Sequence, residues 1–324
     1  MANNISKRVH TIPASFPRCV NTVINPSARL QLVVDEYVIP TPSRDGFTLL
    51  FTHGTSFNKS LWELVIRTLL NNSSIAPYIK RVLAVDAINH GDSALANKGK
   101  LSKDKAHWPD ISRDILQVLK HFGVEAPVIG IGHSFGGGAL AHASIMAPSA
   151  FWATIFVEPI IFLMKGQTQG IADMTLKRRD RWESYEEAKA AFDKSRGMAD
   201  WVPQQRQKYI DEAIYQTRTG DANFWTLKTT KEQEAATYLA APVPGLPELL
   251  EASRQRHYFI LGEKSVVLNT TSRARIEEIS HEPGWVKTLP GVGHLVPMTH
   301  PDLLASELAR ALHHVVVSKN TSKL

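Results

Sequence analysis

The sequence predicts an α/β fold: a mostly parallel sheet with helices on both faces. Three observations point to it. Apolar runs of strand length recur between residues 30 and 159, separated by helix-forming stretches, the alternation of a parallel sheet with crossover helices. One run leads directly into a glycine-flanked serine and a helix of small residues. From about 160 to 250 the strand signals fade and charged, helix-favouring segments replace them, before strand pattern resumes at 256.

Taken in order, an irregular N-terminal arm precedes a first strand region at residues 30–40. Leu49-Leu50-Phe51-Thr52 is a strand that runs into His53-Gly54-Thr55-Ser56-Phe57. Ala126-Pro127-Val128-Ile129-Gly130-Ile131 is a buried strand, and Gly137 to Ala143 begins a helix. Trp152 to Val157 is a further strand, closed by Glu158-Pro159. Ser184 to Phe192 and Gln204 to Thr217 read as helices of an inserted helical lid, with Ala241 to Pro247 as its exit linker. Arg256 to Leu261 and Trp285 to Leu289 return to the sheet, and a last helix covers Pro301 to Val317. The expected organisation is therefore 1–159 as the first part of the core, 160–250 as the lid, 251–319 as the second part of the core and 320–324 as a polar tail.

Gly132-His133-Ser134-Phe135-Gly136 carries the chemistry. A serine in G-x-S-x-G between a buried strand and a helix sits on a sharp turn that lifts its hydroxyl above the sheet. The flanking glycines let the neighbouring strand and helix approach. The base expected downstream is His294, in Gly291-Val292-Gly293-His294 just past a late strand. The acid has two candidate places. The usual one, after the strand ending at Leu261, reads Gly262-Glu263-Lys264-Ser265 and holds a serine. The other is Glu158, in an apolar run where an unpaired carboxylate is costly; Pro159 biases it toward extended backbone. Glu158 is the expected acid, with Glu263 and Asp180 as weaker rivals. The oxyanion is expected to meet the backbone amides of Phe135 and of Thr55, with Ser56 as the alternative to Thr55.

The order of His53-Gly54, Val85-Asp86-Ala87-Ile88-Asn89-His90-Gly91-Asp92-Ser93, the serine turn and Gly291 to His294 resembles the α/β-hydrolase superfamily over nearly the whole chain. Within it, His53 to Trp62, Glu158 and the final tripeptide resemble fungal peroxisomal hydrolases attached to secondary-metabolite pathways. Among these are hydrolases of host-selective toxin clusters and the acyl-CoA hydrolase of mycophenolic acid biosynthesis. The resemblance implies hydrolysis of an ester or acyl-CoA thioester. It also implies an acid after the sixth strand, where the mycophenolate enzyme has Asp and this chain has Glu158.

Ser322-Lys323-Leu324 is a peroxisomal matrix address, read by an import receptor. The single cysteine, Cys19, excludes an internal disulfide and fits an intracellular compartment. No apolar run approaches the roughly 20 residues that span a bilayer, and no Cys/His cluster has metal spacing, so neither a membrane span nor a metal is expected, and no cofactor is implied. A net charge of +6 without a basic, aromatic-interleaved groove does not suggest nucleic acid. In the lid, Lys177-Arg178-Arg179-Asp180-Arg181 is a candidate for CoA phosphates, although a charge run is more often a solvated helix face. Trp182, Trp201, Phe224 and Trp225 are candidates for an acyl pocket or for plain lid core. An acyltransferase, a cofactor-free haloperoxidase and a non-catalytic ligand-binding protein stay open as alternatives, since fold does not fix function.

Overall fold

Alternation along the central strands sorts side chains to two faces. Leu49 and Phe51, Val82 and Ala84, Ile129 and Ile131, and Ile155 and Val157 pack into one apolar cluster. Leu50, Leu83, Val128 and Phe156 pack into another on the opposite face. Strands buried on both sides in this way need helices over both faces. Here the helices Glu63–Asn71 and Pro301–Thr321 cover one face, and Trp108–His121, Ser134–Met146 and Thr270–Ile279 cover the other. Each large apolar side chain so buried contributes about 1.5–3 kcal/mol.

The computed structural model describes residues 5–39, 42–125, 127–164, 166–280 and 285–321. In chain order its strands are β1 (Ser6–Pro13), β2 (Gln31–Val38), β3 (Phe47–Thr52), β4 (Ile79–Val85), β5 (Val128–His133), β6 (Ala153–Val157), β7 (Arg181–Trp182), β8 (Ile214–Thr219), β9 (Ala222–Leu227), β10 (His257–Gly262) and β11 (Val286–Leu289). Eight form one sheet in the order β1-β2-β4-β3-β5-β6-β10-β11. It is parallel from β4 to β11, and β1 and β2 pair antiparallel at one edge. Pro40, Ala126 and Ser322-Lys323-Leu324, which the sequence reading used, lie outside the described residues.

Two expectations are corrected here. The N-terminal arm is not wholly irregular, because Ser6–Pro13 forms the edge strand β1 in register with Pro13 opposite Gln31. As an edge strand it leaves most side chains in contact with water, so its sequence lacks the apolar run that marks the inner strands. The segment 160–250 is not helical throughout. Its helices Gln167–Lys177, Tyr185–Asp193, Pro203–Ala213 and Lys231–Leu239 accompany a second, antiparallel sheet in the order β7-β9-β8. The helix expected to reach Thr217 stops at Ala213, and a β-branched and aromatic hairpin follows. Gly220, at φ +59°, supplies the turn. This segment has its own apolar cluster, which meets the core at Leu61 and Met298.

Candidate active site

The carboxyl ends of the parallel strands meet on one edge of the sheet, where open α/β sheets place their ligands. At the end of β5 the backbone turns from strand to helix on Ser134 itself, at φ +54°. Such a value is costly for a residue with a Cβ. The turn closes because its neighbours are small. A Cβ on Gly132 would lie 2.8 Å from Thr52 Oγ1, and one on Gly136 would strike the His53 carbonyl. Thr52 Oγ1 donates to the Gly136 carbonyl (3.0 Å), and Ile160 N donates to the Ser134 carbonyl (3.0 Å).

His294 reaches this serine from the loop after β11. Ser134 Oγ lies 3.0 Å from His294 Nε2, and His294 Nδ1 lies 2.9 Å from Glu158 Oε2. The geometry lets the imidazole donate from Nδ1 to the carboxylate and leaves Nε2 facing the serine hydroxyl. Glu158 is fully buried. Its Oε1 accepts from Gly262 N (2.7 Å), and its Oε2 also accepts from Ser265 Oγ. One argument made for Glu158 is corrected: its backbone is not extended but left-handed, at φ +49°. The strand bond from Glu158 N to the Ile260 carbonyl (2.9 Å) and the donors on the carboxylate hold it there, against the bias of the following proline. The rivals lie elsewhere. Glu263 accepts from Gly291 N (2.7 Å), and Asp180 lies 3.7 Å from Lys231.

The loop after β3 is pinned from several sides. His53 donates from Nδ1 to the Gly54 carbonyl (2.8 Å) and accepts at Nε2 from Ala87 N (3.0 Å). Burial lowers its pKa, so that tautomer stays neutral. His90 Nε2 accepts from Ser56 N (3.2 Å), and burial, with His53 beside it, holds His90 well below the usual range. Beneath, Lys59 is buried among Asp86 (3.2 Å), Asp92 (2.5 Å) and Asp35 (3.6 Å). Burial opposes its charge, but the three carboxylates outweigh burial and raise its pKa. Ser56 N is therefore engaged, whereas the amides of Thr55 and Phe135 find no acceptor among the described residues. Phe135 is the second residue of its helix, where an amide has no intrahelical partner. Next to the serine, burial and His294 push His133 down to about 3, and its Nε2 donates to the His294 carbonyl (2.9 Å).

Above Ser134 lies a cavity of about 400 Å³. Thr55, Phe135 and His294 border it near the hydroxyl, and Trp108, Ile160, Leu163, Met164, Ile171 and Leu239 make its apolar walls. The expected tryptophans are not among them. Trp182 and Trp201 are buried in the cluster of the 160–250 segment, and Trp225 lies edge-on to Tyr185. That segment needs a core of its own, and the large aromatics supply it. Trp201 acts only at one remove, 5.6 Å edge-on from Phe57, which does line the cavity. Phe224 is covered by Arg181, 4.7 Å away. In the basic run, Arg178 pairs with buried Glu234 (2.5 Å) and Arg179 with Glu187 (2.5 Å).

Sequence reasoning missed how the 160–250 segment holds the loop after β3. Ser56, at φ +74°, donates to Glu234 (2.6 Å) and lies 2.9 Å from the Tyr238 hydroxyl. Burial, with Glu234 nearby, raises Tyr238 to about 12, so it stays a neutral hydroxyl. These residues stand more than 170 positions apart, and no local pattern marks the pairing. Ser265 was visible only as a serine where an acid was expected.

Comparisons with known proteins agree with this architecture. A model of the alpha/beta hydrolase family matches residues 49–307. The chain belongs to that family, and it is a hydrolase. It is 25% identical to the peroxisomal membrane protein LPX1 of Saccharomyces cerevisiae, over 98% of this chain and 89% of that protein. It is 31% identical to the type I acyl-CoA thioesterase mpaH of Penicillium brevicompactum, over 55% of this chain and 44% of that protein, so the match spans less than half of that relative. Among solved structures, the peroxisomal alpha-beta-hydrolase Lpx1 of Saccharomyces cerevisiae superposes with a TM-score of 0.85, at 25% identity, over 98% of this chain and 91% of that one.

Proposed function

We propose that this chain is a serine hydrolase that cleaves an ester or thioester of an apolar acyl group through an acyl-enzyme. The observation that carries this reading is the hydrogen-bonded line from Ser134 through His294 to Glu158 beneath an apolar cavity. Ser134 Oγ attacks the acyl carbonyl as its proton passes to His294 Nε2. Glu158 holds the Nδ1 proton and offsets the imidazolium charge. The amides of Phe135 and Thr55 receive the oxyanion. As the tetrahedral adduct collapses, the C–O or C–S bond to the leaving group breaks and the imidazolium returns its proton to that group. Water then attacks the acyl-serine with His294 as base, releases the acid and restores the serine.

Residues 160–250 form the lid in this reading, closing the cavity with Leu163, Ile171 and Leu239, while 1–159 and 251–319 form the core. Similarity to an acyl-CoA thioesterase supports thioesters among the substrates. Similarity to peroxisomal relatives supports a place in the peroxisomal matrix, with Ser322-Lys323-Leu324 read by the import receptor. A step in secondary metabolism rests on the family resemblance alone.

The test is labelling by a fluorophosphonate, followed by a screen of acyl-CoAs for thiol release and of neutral acyl esters for acid release. Stoichiometric label on Ser134 and turnover that Ser134→Ala lowers by about 4 to 6 decades are expected. Near-wild-type turnover in Ser134→Ala sinks the serine mechanism. Acyl transfer to an added alcohol in place of water would favour the acyltransferase alternative.

A further inference from the structure

We propose that Ser265 is a positioning residue for this reaction: its hydroxyl holds the Glu158 carboxylate on His294 and shares the negative charge. The inference rests on the serine-hydrolase reading above. Glutamate has one more side-chain torsion than aspartate, so a glutamate acid needs more restraint to present one oxygen steadily to an imidazole. That restraint comes from the neighbouring strand. Gly262 N binds Oε1 at 2.7 Å, while Ser265 Oγ and His294 Nδ1 share Oε2. Three donors thus converge on a carboxylate with no exposure to water, the condition under which a buried charge is tolerated.

The direction of the serine proton is fixed by its surroundings. Val267 N donates to Ser265 Oγ at 3.3 Å, which occupies a lone pair and leaves the hydroxyl hydrogen for Glu158. The turn that carries the hydroxyl is itself rigid. Ser265 N donates to the Gly262 carbonyl at 3.1 Å. The Arg273 guanidinium binds the carbonyls of Gly262 (2.5 Å) and Leu268 (2.9 Å) and lies 3.5 Å from that of Ser265. The serine at the end of β10, where this fold usually carries the acid, therefore serves the acid from that place.

The experiment compares Ser265→Ala and Ser265→Thr with the unaltered chain in kcat, KM, pH profile and melting. The carboxylate works hardest when His294 is charged, in the transition state, so kcat should fall while KM stays within about twofold. A hydrogen bond to a charged group predicts a fall of about 10- to 100-fold in Ser265→Ala. Without the hydroxyl, more negative charge faces the imidazole and its protonated form is favoured. The acid limb of the kcat profile should therefore move to higher pH. Ser265→Thr, which keeps the hydroxyl, should restore rate and profile. An unchanged kcat and profile in Ser265→Ala overturns the proposal. So does a loss in which melting temperature and KM change together and threonine restores nothing, since that is a general packing defect. Full activity in Ser134→Ala, by contrast, refutes the underlying hydrolase reading whatever Ser265 does.

Discussion

Strands β6 and β10 lie side by side, parallel and in register from His257 opposite Thr154 to Ile260 opposite Val157, yet they end in opposite ways. β6 is followed directly by a single charged residue, Glu158, in a left-handed conformation and wholly buried. β10 ends in a hydrogen-bonded turn whose amide and hydroxyl, at Gly262 and Ser265, aim at that charge. One strand end supplies the carboxylate and the other supplies the donors that make its burial tolerable. In the proposed mechanism the acid thus depends on both strand ends and not on β6 alone. The charged residue nearest the end of β10, Glu263, turns away and holds Gly291, at φ +72°, in the loop that carries His294.

The strongest way to break this comparison is Glu158→Gln. An amide cannot accept on both sides. Turned one way, its NH₂ faces Gly262 N–H; turned the other, it faces the Ser265 hydroxyl and His294 Nδ1–H. The imidazole loses its orientation, and kcat should fall by about 4 decades, as it does where a triad carboxylate becomes an amide. The fold should survive, as circular dichroism and melting would register. A rate within tenfold of the unaltered chain would remove Glu158 from the mechanism.

The next variant sharpens the comparison by moving the charge across it. In a Glu158→Ala background, Ser265→Asp places a carboxylate on the β10 turn, close to the place that Glu158 Oε2 occupies beside His294. We expect it to recover about 10-fold of the rate lost in Glu158→Ala, since an imperfect charged hydrogen bond still contributes on this scale. Steady-state kinetics of the two variants would decide it. Equal rates would mean that only the β6 end can present the acid.

A third test contrasts the buried carboxylate with the buried imidazole at the end of β5. Burial holds His133 at about 3 in the folded chain, against about 6.5 when unfolded. Its folded pKa is depressed, so the unfolded chain binds its proton first. The associated stability is complete above pH 6.5 and is lost as pH falls from 6.5 toward 3. By pH 5 the loss from this group is about 2 kcal/mol, and His53 and His90, lowered by the same burial, act in the same direction. Urea midpoints at pH 7.5 and pH 5.0 should show the drop, and it should shrink in His133→Phe.

How much could be read in the sequence follows from the range of the interactions. The serine turn was legible because its requirement is local: Gly132 and Gly136 admit the close approach within a few residues of Ser134. His294 and Glu158, which lie within hydrogen-bond distance of each other and, for His294, of Ser134, could be picked out as candidates because strand ends and buried charges leave marks in apolar pattern. The bond from Ser265 to Glu158, across 107 positions, left none. Trp182, Trp201 and Trp225 do not line the cavity, and the sequence did not separate them from core because an aromatic looks the same in a pocket and in a core. The hairpin at Gly220 did carry a signal, in the β-branched and aromatic residues Ile214, Tyr215, Thr217 and Thr219 before the glycine, which the helical pattern preceding them concealed. The cavity wall takes Leu163, Ile171 and Leu239, which come from the loop after β6 and from the helices Gln167–Lys177 and Lys231–Leu239, so their grouping depends on how distant segments pack.

The smallest expected effect is that of Glu263→Gln, and it separates proximity in sequence from function. Glu263 is the acidic residue nearest the usual acid position, which is why it stood as a rival to Glu158 in the sequence. Its carboxylate instead accepts one bond, from Gly291 N at 2.7 Å, at an exposed turn. Glutamine keeps a carbonyl oxygen at the same reach and can accept that bond. Only charge is lost, at a position where water screens it. The kcat should change by less than about threefold, the cost of a fraction of one hydrogen bond, and the pH profile should keep its shape. Glu263→Ala should do more, since it frees the loop that carries His294, and its effect should appear in kcat and in melting together. A loss of several decades in Glu263→Gln would move the acid to the β10 end and overturn the division of labour between the two strands.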